Sequence, residues 1–163
     1  MRVAVLSDIH SRAKMAAAAG AELRGSDAVL ISGDITNFGN YEDARRVLGA
    51  VEEANGRILA VAGNCDNHGV EEYLRERGFN LGGEVKEVGG YYFCGLSGFE
   101  PKDIRDRGMG LEEFFTEELG RLRSEMEGKR PFVFVSHHPA FNTEVDLDGG
   151  RHRGSGAVFD FIV

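Results

Sequence analysis

The chain has 163 residues, 42% of them hydrophobic and 28% charged, with a formal net charge of -8. That length suits one domain around one core and is short for two, and no apolar run approaches the roughly eighteen residues that a membrane span needs. The negative charge opposes long polyanions and membrane surfaces, so neither nucleic acid nor membrane is an expected partner, whereas a small phosphorylated substrate met through bound cations is compatible with it.

In chain order, Arg2 leads straight into an apolar strand with no basic and then apolar leader before it, so the expected location is cytoplasmic. Val3-Ala4-Val5-Leu6 breaks into Ser7-Asp8-Ile9-His10, as a buried parallel strand does when its carboxyl end opens into a site. If extended geometry persists past Ser7, Asp8 and His10 share a face and form a metal-ligand pair. For that motif alone, a strand ending in a polar loop is the plain alternative. The alanine-rich segment from Ser11 to Leu23 predicts one helix, with Ser11 as N-cap and Gly25 as stop. A second strand, Ala28 to Ser32, ends at Gly33-Asp34. Asn40 then caps a helix in which Ala44, Val47, Leu48 and Val51 form an apolar stripe, ended by Asn55-Gly56. A third strand, Ile58 to Ala62, ends at Gly63-Asn64, and a short helix follows with Val70, Tyr73 and Leu74 inward. Strands alternating with helices at this spacing mean right-handed crossovers and a parallel sheet.

The pattern then changes. Glu84 to Val88 and Tyr91 to Leu96, separated by Gly89-Gly90, predict a tight antiparallel hairpin. Gly98 to Gly110 reads as a loop, and a helix carrying Leu111, Phe114, Phe115, Leu119, Leu122 and Met126 on one stripe follows it. Phe132 to Val135 is another buried strand, delivering Ser136-His137-His138-Pro139. The polar stretch from Asn142 to Arg153 reads as a loop, and Ser155 caps a last helix. The chain stops inside that helix on Phe161-Ile162-Val163, an apolar end without a closing cap, so a single domain over 1–163, incomplete at its C-terminus, is expected. An uncovered sheet edge and apolar Phe159 and Ile162 leave self-association into a homo-oligomer open.

Four strands thus hand over at their carboxyl ends to residues a divalent ion would accept: Asp8 with His10, Asp34, Asn64, and His137. That edge is where open α/β sheets bind ligands. Oxygen and imidazole donors suit manganese, iron, zinc or cobalt, and the set does not choose among them. Five side chains, with a carboxylate able to bridge, fit two ions about 3.5 to 4 Å apart. Cys65 and Cys94 lie far apart and outside any paired-cysteine motif, so two free thiols are expected.

With these motifs in place, the sequence resembles the calcineurin-like metallophosphoesterases, whose motifs run Asp-x-His, Gly-Asp-x-x-Asp, Gly-Asn-His-Asp/Glu, a later His and Gly-His-x-His. Here they stand as Ser7-Asp8-Ile9-His10, Gly33-Asp34-Ile35-Thr36-Asn37, Gly63-Asn64-Cys65-Asp66 and Ser136-His137-His138-Pro139. The resemblance implies a four-layer α/β/β/α sandwich, with Asp8 and His10 on one ion, Asn64 and His137 on the other, and Asp34 bridging. It also implies hydrolysis of a phosphomonoester or phosphodiester by a metal-bound hydroxide at a dinuclear centre. Three departures stand against the pattern. Asn37 replaces the second Asp, Cys65 stands where many members carry a histidine that assists the leaving group, and Gly-His-x-His is missing. The alternative is therefore a non-catalytic binding or scaffold remnant of the fold, with weak metal binding or none.

Beside the ligands, Asp66 and His138 are the candidates for catalysis, Asp66 as an orienting partner and His138 at the rim. His152 precedes Gly154-Ser155 at a helix start whose amides could meet a phosphate, which makes His152 and Ser155 the substrate-binding candidates; a solvated loop histidine is the alternative. His68 reads as a helix-start surface residue and Cys94 as core. Arg105 to Arg107 and Arg121 to Arg123 read as solvated faces.

Overall fold

The computed structural model describes residues 1–101, 104 and 106–163, so Arg105 lies outside the described residues. A first sheet is built from β1 (Val3–Leu6), β2 (Ala28–Ser32) and β3 (Ile58–Val61), all parallel and in the order β1-β2-β3. In the second, β4 (Val85–Val88) runs antiparallel to β5 (Tyr91–Leu96), which pairs in parallel with β6 (Phe132–Ser136). Gly89 and Gly90 make the hairpin turn at φ 60° and 80°, values that residues with a side chain rarely adopt.

β2 and β3 are apolar throughout because both of their faces are covered, and strand alternation sorts their residues into layers; β1 and β6, read from the sequence as buried, are strands at the ends of their sheets and only partly covered, with Val5 65% and Phe132 37% exposed. Val29, Ile31 and Ala60 face a helical layer of α1 (Ala13–Ala18), α2 (Gly20–Arg24), α3 (Tyr41–Glu52) and α4 (His68–Glu76), packing on Val47, Leu48, Val51 and Leu74. Their alternates Leu30, Leu59 and Val61 face the second sheet and pack on Leu81, Phe93 and Val135. On that sheet's far side, Cys94 and Leu96 pack against Phe115, Leu119 and Leu122 of α5 (Leu111–Glu125) and Val158 of α6 (Gly156–Ile162). The result is a four-layer α/β/β/α sandwich. Gly95 lets the sheets close, since a Cβ there would lie 2.6 Å from Val61 Cγ1.

Helix α3 starts on a capping box: Asn40 Oδ1 accepts the N–H groups of Glu42 and Asp43 at 2.9 and 3.3 Å, and Asp43 accepts that of Asn40 at 3.1 Å. Its fully buried Val47, Leu48 and Val51 contribute about 1.5 to 3 kcal/mol each to the outer core.

Three stretches differ from their sequence reading. The segment 11–23 is two short helices broken at Ala19, and Ser11 is no N-cap: it sits at φ 62° with its hydroxyl accepting the Asn37 N–H at 3.2 Å. Between Gly98 and Gly110, Ile104 and Asp106 are helical, and Ile104 is fully buried. The segment 142–153 holds a 3-10 turn (Glu144–Asp146) and a small hairpin of β7 (Leu147–Asp148) and β8 (Arg151–His152). That hairpin turns on Gly149-Gly150, a second glycine pair at positive φ like the Gly89-Gly90 pair between β4 and β5. No helix among the described residues is long and apolar enough to cross a membrane.

Candidate metal centre

Asp8 and His10 do not reach the cleft by strand alternation. β1 ends at Leu6, and Asp8, His10 and Ser11 adopt φ of 53°, 46° and 62°, with Asp34 opposite them at 50°. Left-handed backbone at residues with side chains costs about 1 to 3 kcal/mol each and persists only where the surroundings enforce it. Here a backbone ladder enforces it: the N–H groups of Asp8, His10 and Ser11 donate to the carbonyls of Gly33, Asp34 and Ile35 at 3.2, 2.9 and 3.0 Å. The first loop is thereby fastened along the second.

Asp34 is the hub. Its side chain is almost wholly buried, with Oδ2 3.6 Å from His10 Nε2 and Oδ1 3.4 Å from His137 Nε2. Asp8 Oδ1 lies 3.7 Å from the same His10 nitrogen, and the Ser7 hydroxyl donates to Asp8 Oδ2. Asn64 Oδ1 lies 2.8 Å from His137 Nε2. The structure therefore brings Asp8, His10, Asp34, Asn64 and His137 into one cleft.

His137 is oriented from behind. Its Nδ1–H donates to the Ser32 carbonyl at 2.8 Å, which fixes the tautomer and leaves Nε2 as the lone pair of the neutral ring. Nε2, the Asn64 oxygen and an Asp34 oxygen then converge, and with the ring in its metal-binding form all three are acceptors. A divalent cation suits such a donor set, and the backbone hydrogen bond behind the ring is the usual support of a metal-binding imidazole. The residues fit the group.

Three glycines make room. A Cβ at Gly33 or Gly63 would overlap His137 Nδ1 or Asp34 Oδ1, and one at Gly98 would come within 2.7 Å of His137 Cδ2. Gly33 also sits at φ 100°. The Ser32 carbonyl and Gly98 were not legible beforehand, since both act only once the second sheet brings His137 across.

Asp66 is taken up by the loops around the cleft. It is 4% exposed and accepts four hydrogen bonds, from Ile35 N–H (3.1 Å), Gly63 N–H (2.9 Å), and the N–H and hydroxyl of Thr36 (both 2.8 Å). Its carboxylate ties the Asp34 loop to the Asn64 loop. His138 is half-buried, lies 5.2 Å from the Phe115 ring, and bonds the Gly98 carbonyl at 3.4 Å through Nε2. Burial pulls its pKa down, and the Gly98 bond only partly opposes this.

At the two substrate-binding candidates, several of the groups that the sequence reading offered to a phosphate have partners within the protein. Ser155 is buried, its hydroxyl accepts the Val158 N–H at 3.2 Å, and its own N–H goes to the Pro139 carbonyl at 2.9 Å. Gly154 N–H is taken by Asp146 Oδ2 at 3.0 Å, and His152 Nδ1 lies 2.7 Å from Asp146 Oδ1. In the first turn of α6, the Ala157 N–H donates to Glu112 Oε2 at 3.2 Å. Burial alone would raise the Asp146 carboxyl pKa, but His152 and the N–H groups of Gly154, Thr143 and Asn142 outweigh it and bring it down to about 2.

Both cysteines are free. Burial, the contact with Asp34 and neighbouring acids push the Cys65 thiol up to about 11, and burial does the same for Cys94 in the core.

The model of the calcineurin-like phosphoesterase superfamily domain matches residues 1–149. A probable cyclic nucleotide phosphodiesterase of Synechococcus sp. is 30% identical over 117 residues, covering 71% of this chain; the match spans 44% of that relative's length. The crystal structure of TT1561 of Thermus thermophilus superposes with a TM-score of 0.71 at 19% identity, covering 99% of this chain and 76% of the other. A second solved structure gives the same TM-score at 16% identity, covering 99% of this chain and 79% of its own. These two likenesses concern the fold alone.

Proposed function

Since the chain belongs to the calcineurin-like phosphoesterase superfamily, we propose that it hydrolyses a small phosphate ester with two divalent ions, of manganese, iron, zinc or cobalt, held in the cleft. One observation carries the reading: Asp34 divides its two oxygens between His10 and His137, as a carboxylate shared by two ions would. Asp8 and His10 would hold one ion, and Asn64 and His137 the other. When bound, such a pair lowers the pKa of a coordinated water, neutralises phosphate charge and orients the ester for in-line displacement.

The chain's own residues supply the rest. Asp66 positions the two ligand loops, and the Ser32 carbonyl holds His137 Nε2 toward the cleft. His138 steadies the Gly98 turn that backs His137. Cys65 stands where a proton donor to the leaving group would help. A cysteine offers no cationic proton to a leaving group, so esters with acidic leaving groups are the favoured substrates. The printed name of the Synechococcus relative directs the first assay to diesters, cyclic nucleotides among them.

That same thiol favours a second reading, a binding module that keeps the metals without turnover. The test is to load the protein with manganese and follow an aryl phosphodiester and an aryl phosphomonoester, while titrating metal into wild type, Asp34→Asn and His10→Ala. Turnover that Asp34→Asn abolishes, with binding lost at both sites in that variant and chiefly at one in His10→Ala, is the expected result. Metal binding with no turnover of either ester would establish the binding module. Equal single-site losses in the two variants would overturn the bridging role of Asp34.

A further inference from the structure

His10, Asp34 and Cys65 each present one ligand atom, and these atoms all lie within 4.8 Å of one another. The sulfur has little freedom to be elsewhere. Cys65 N–H donates to Asp34 Oδ1 at 2.9 Å and its carbonyl accepts the Phe38 N–H at 2.8 Å, so the backbone is pinned on both sides and only the side-chain rotamer is left. Asn64 Nδ2–H points at Cys65 Sγ, 3.5 Å away, so the same amide that turns its oxygen to His137 already presents a donor to the sulfur. In that arrangement Sγ is used as an acceptor, the role it would play toward a cation.

We propose that Cys65 Sγ joins His10 Nε2 and an oxygen of Asp34 as a ligand of a borderline-soft divalent ion, of the zinc or cobalt type, and that this sulfur makes the His10 side of the centre select such ions over manganese and magnesium. The proposal rests on the reading that the cleft is a metal centre and narrows which metal that side takes. Zinc-type ions hold nitrogen and oxygen at about 2.0 to 2.2 Å and sulfur at about 2.3 Å, so tetrahedral ligands sit about 3.5 Å apart. With all three atoms within 4.8 Å, reaching that spacing asks at most about 1.3 Å of closure, within reach of a χ1 adjustment at Cys65. On coordination the thiol proton passes to solvent and the S–metal bond replaces the S–H bond, with no change of oxidation state. Thiolate favours zinc-like ions, whereas manganese and magnesium favour carboxylate, carbonyl and water oxygens. Cys94 cannot stand in for it, being fully buried in the core behind the second sheet.

The experiment is a cobalt titration followed by absorption spectroscopy on wild type, Cys65→Ser, His10→Ala and Cys94→Ala. Expected are cobalt d–d bands together with an intense near-ultraviolet sulfur-to-cobalt charge-transfer band, kept in Cys94→Ala and lost in Cys65→Ser. Zinc affinity should fall about 10-fold or more in Cys65→Ser while manganese affinity changes less than about threefold. Should Cys65→Ser not fold, protection of Cys65 from alkylation by bound zinc in wild type, read by mass spectrometry, decides instead. Cobalt d–d bands without a charge-transfer band, or unprotected Cys65 in zinc-loaded protein, would overturn the sulfur ligand and leave the nitrogen and oxygen centre standing. Failure to bind cobalt, zinc and manganese alike would overturn both.

Discussion

Asp66 and Gly98 show how much of the centre depends on residues that never touch a ligand atom's lone pair. A buried carboxylate that accepts four hydrogen bonds has no capacity left for proton exchange with a substrate, but removing it orphans the groups it serves. Asp66→Asn sets an amide donor against backbone N–H donors, and each buried polar group left unpaired costs about 1 to 3 kcal/mol. The variant should lose about 2 to 4 kcal/mol of stability by urea unfolding. A change below about 0.5 kcal/mol, the scale of a plain surface substitution, would show that the carboxylate is not a clamp. Gly98 acts by being small. Its φ lies outside the left-handed region, so Gly98→Ala strains nothing but the His137 ring, 2.7 Å from the new Cβ. Manganese affinity should drop about 10- to 100-fold, the cost typical of disturbing a ligand's support, while the melting temperature barely moves. Gly56→Ala, with open space around its Cβ, is the control.

Among the elements, the segment from Asn142 to Ser155 is held by one side chain rather than by a core. Asp146 accepts the N–H groups of Asn142, Thr143 and Gly154, each at 3.0 Å, and meets His152 at 2.7 Å. Its folded pKa of about 2 lies below the ordinary 3.8, so its contribution is fully present above about pH 4 and is lost as pH falls toward 2. Amide NMR shifts of Thr143 and Gly154 should therefore move together with a midpoint near 2, and Asp146→Asn should abolish the transition; a midpoint near 3.8 would mean that the carboxylate gains nothing from the loop. None of this was legible in the sequence, because the partners of Asp146 are mostly main-chain N–H groups, which carry no sequence signature. The α3 stripe, the Asn40 cap and the Gly89-Gly90 hairpin were legible because local pattern alone determines them. The four strand ends pointed to Asp8, Asp34, Asn64 and His137 but not to their division between two sheets, the first three following strands of one and His137 following β6 of the other. The left-handed turns that aim Asp8 and His10 depend on a ladder to Gly33, Asp34 and Ile35, a tertiary cause that alternation could not foresee.

At the scale of the whole molecule, the centre straddles the two sheets. Asp8, His10, Asp34 and Asn64 leave the first sheet, whereas His137 follows β6 of the second, so an ion between Asn64 and His137 fastens one sheet to the other. Between them lies the core of Leu30, Leu59, Val61, Leu81, Phe93 and Val135, which sets how well His137 is aimed. A ligand that binds only the folded state stabilises it by about 2.7 kcal/mol at 100 times its Kd. With about 2 to 4 °C per kcal/mol for a chain of this size, manganese at that level should raise the wild-type melting temperature by about 5 to 10 °C. His137→Ala removes the second sheet's ligand and should lose more than half of that shift at the same manganese concentration. Phe93→Leu leaves every ligand in place but loosens the inter-sheet core; its shift should shrink as well, because a less well aimed His137 raises the Kd. Calorimetry of the three proteins with and without manganese separates these effects, since each manganese shift is read against that protein's own metal-free melting temperature, which both substitutions lower: Phe93 is fully buried and the His137 side chain is only 11% exposed. An undiminished manganese shift in His137→Ala would show that the ions bind to the first sheet alone and that the second sheet contributes nothing to the centre.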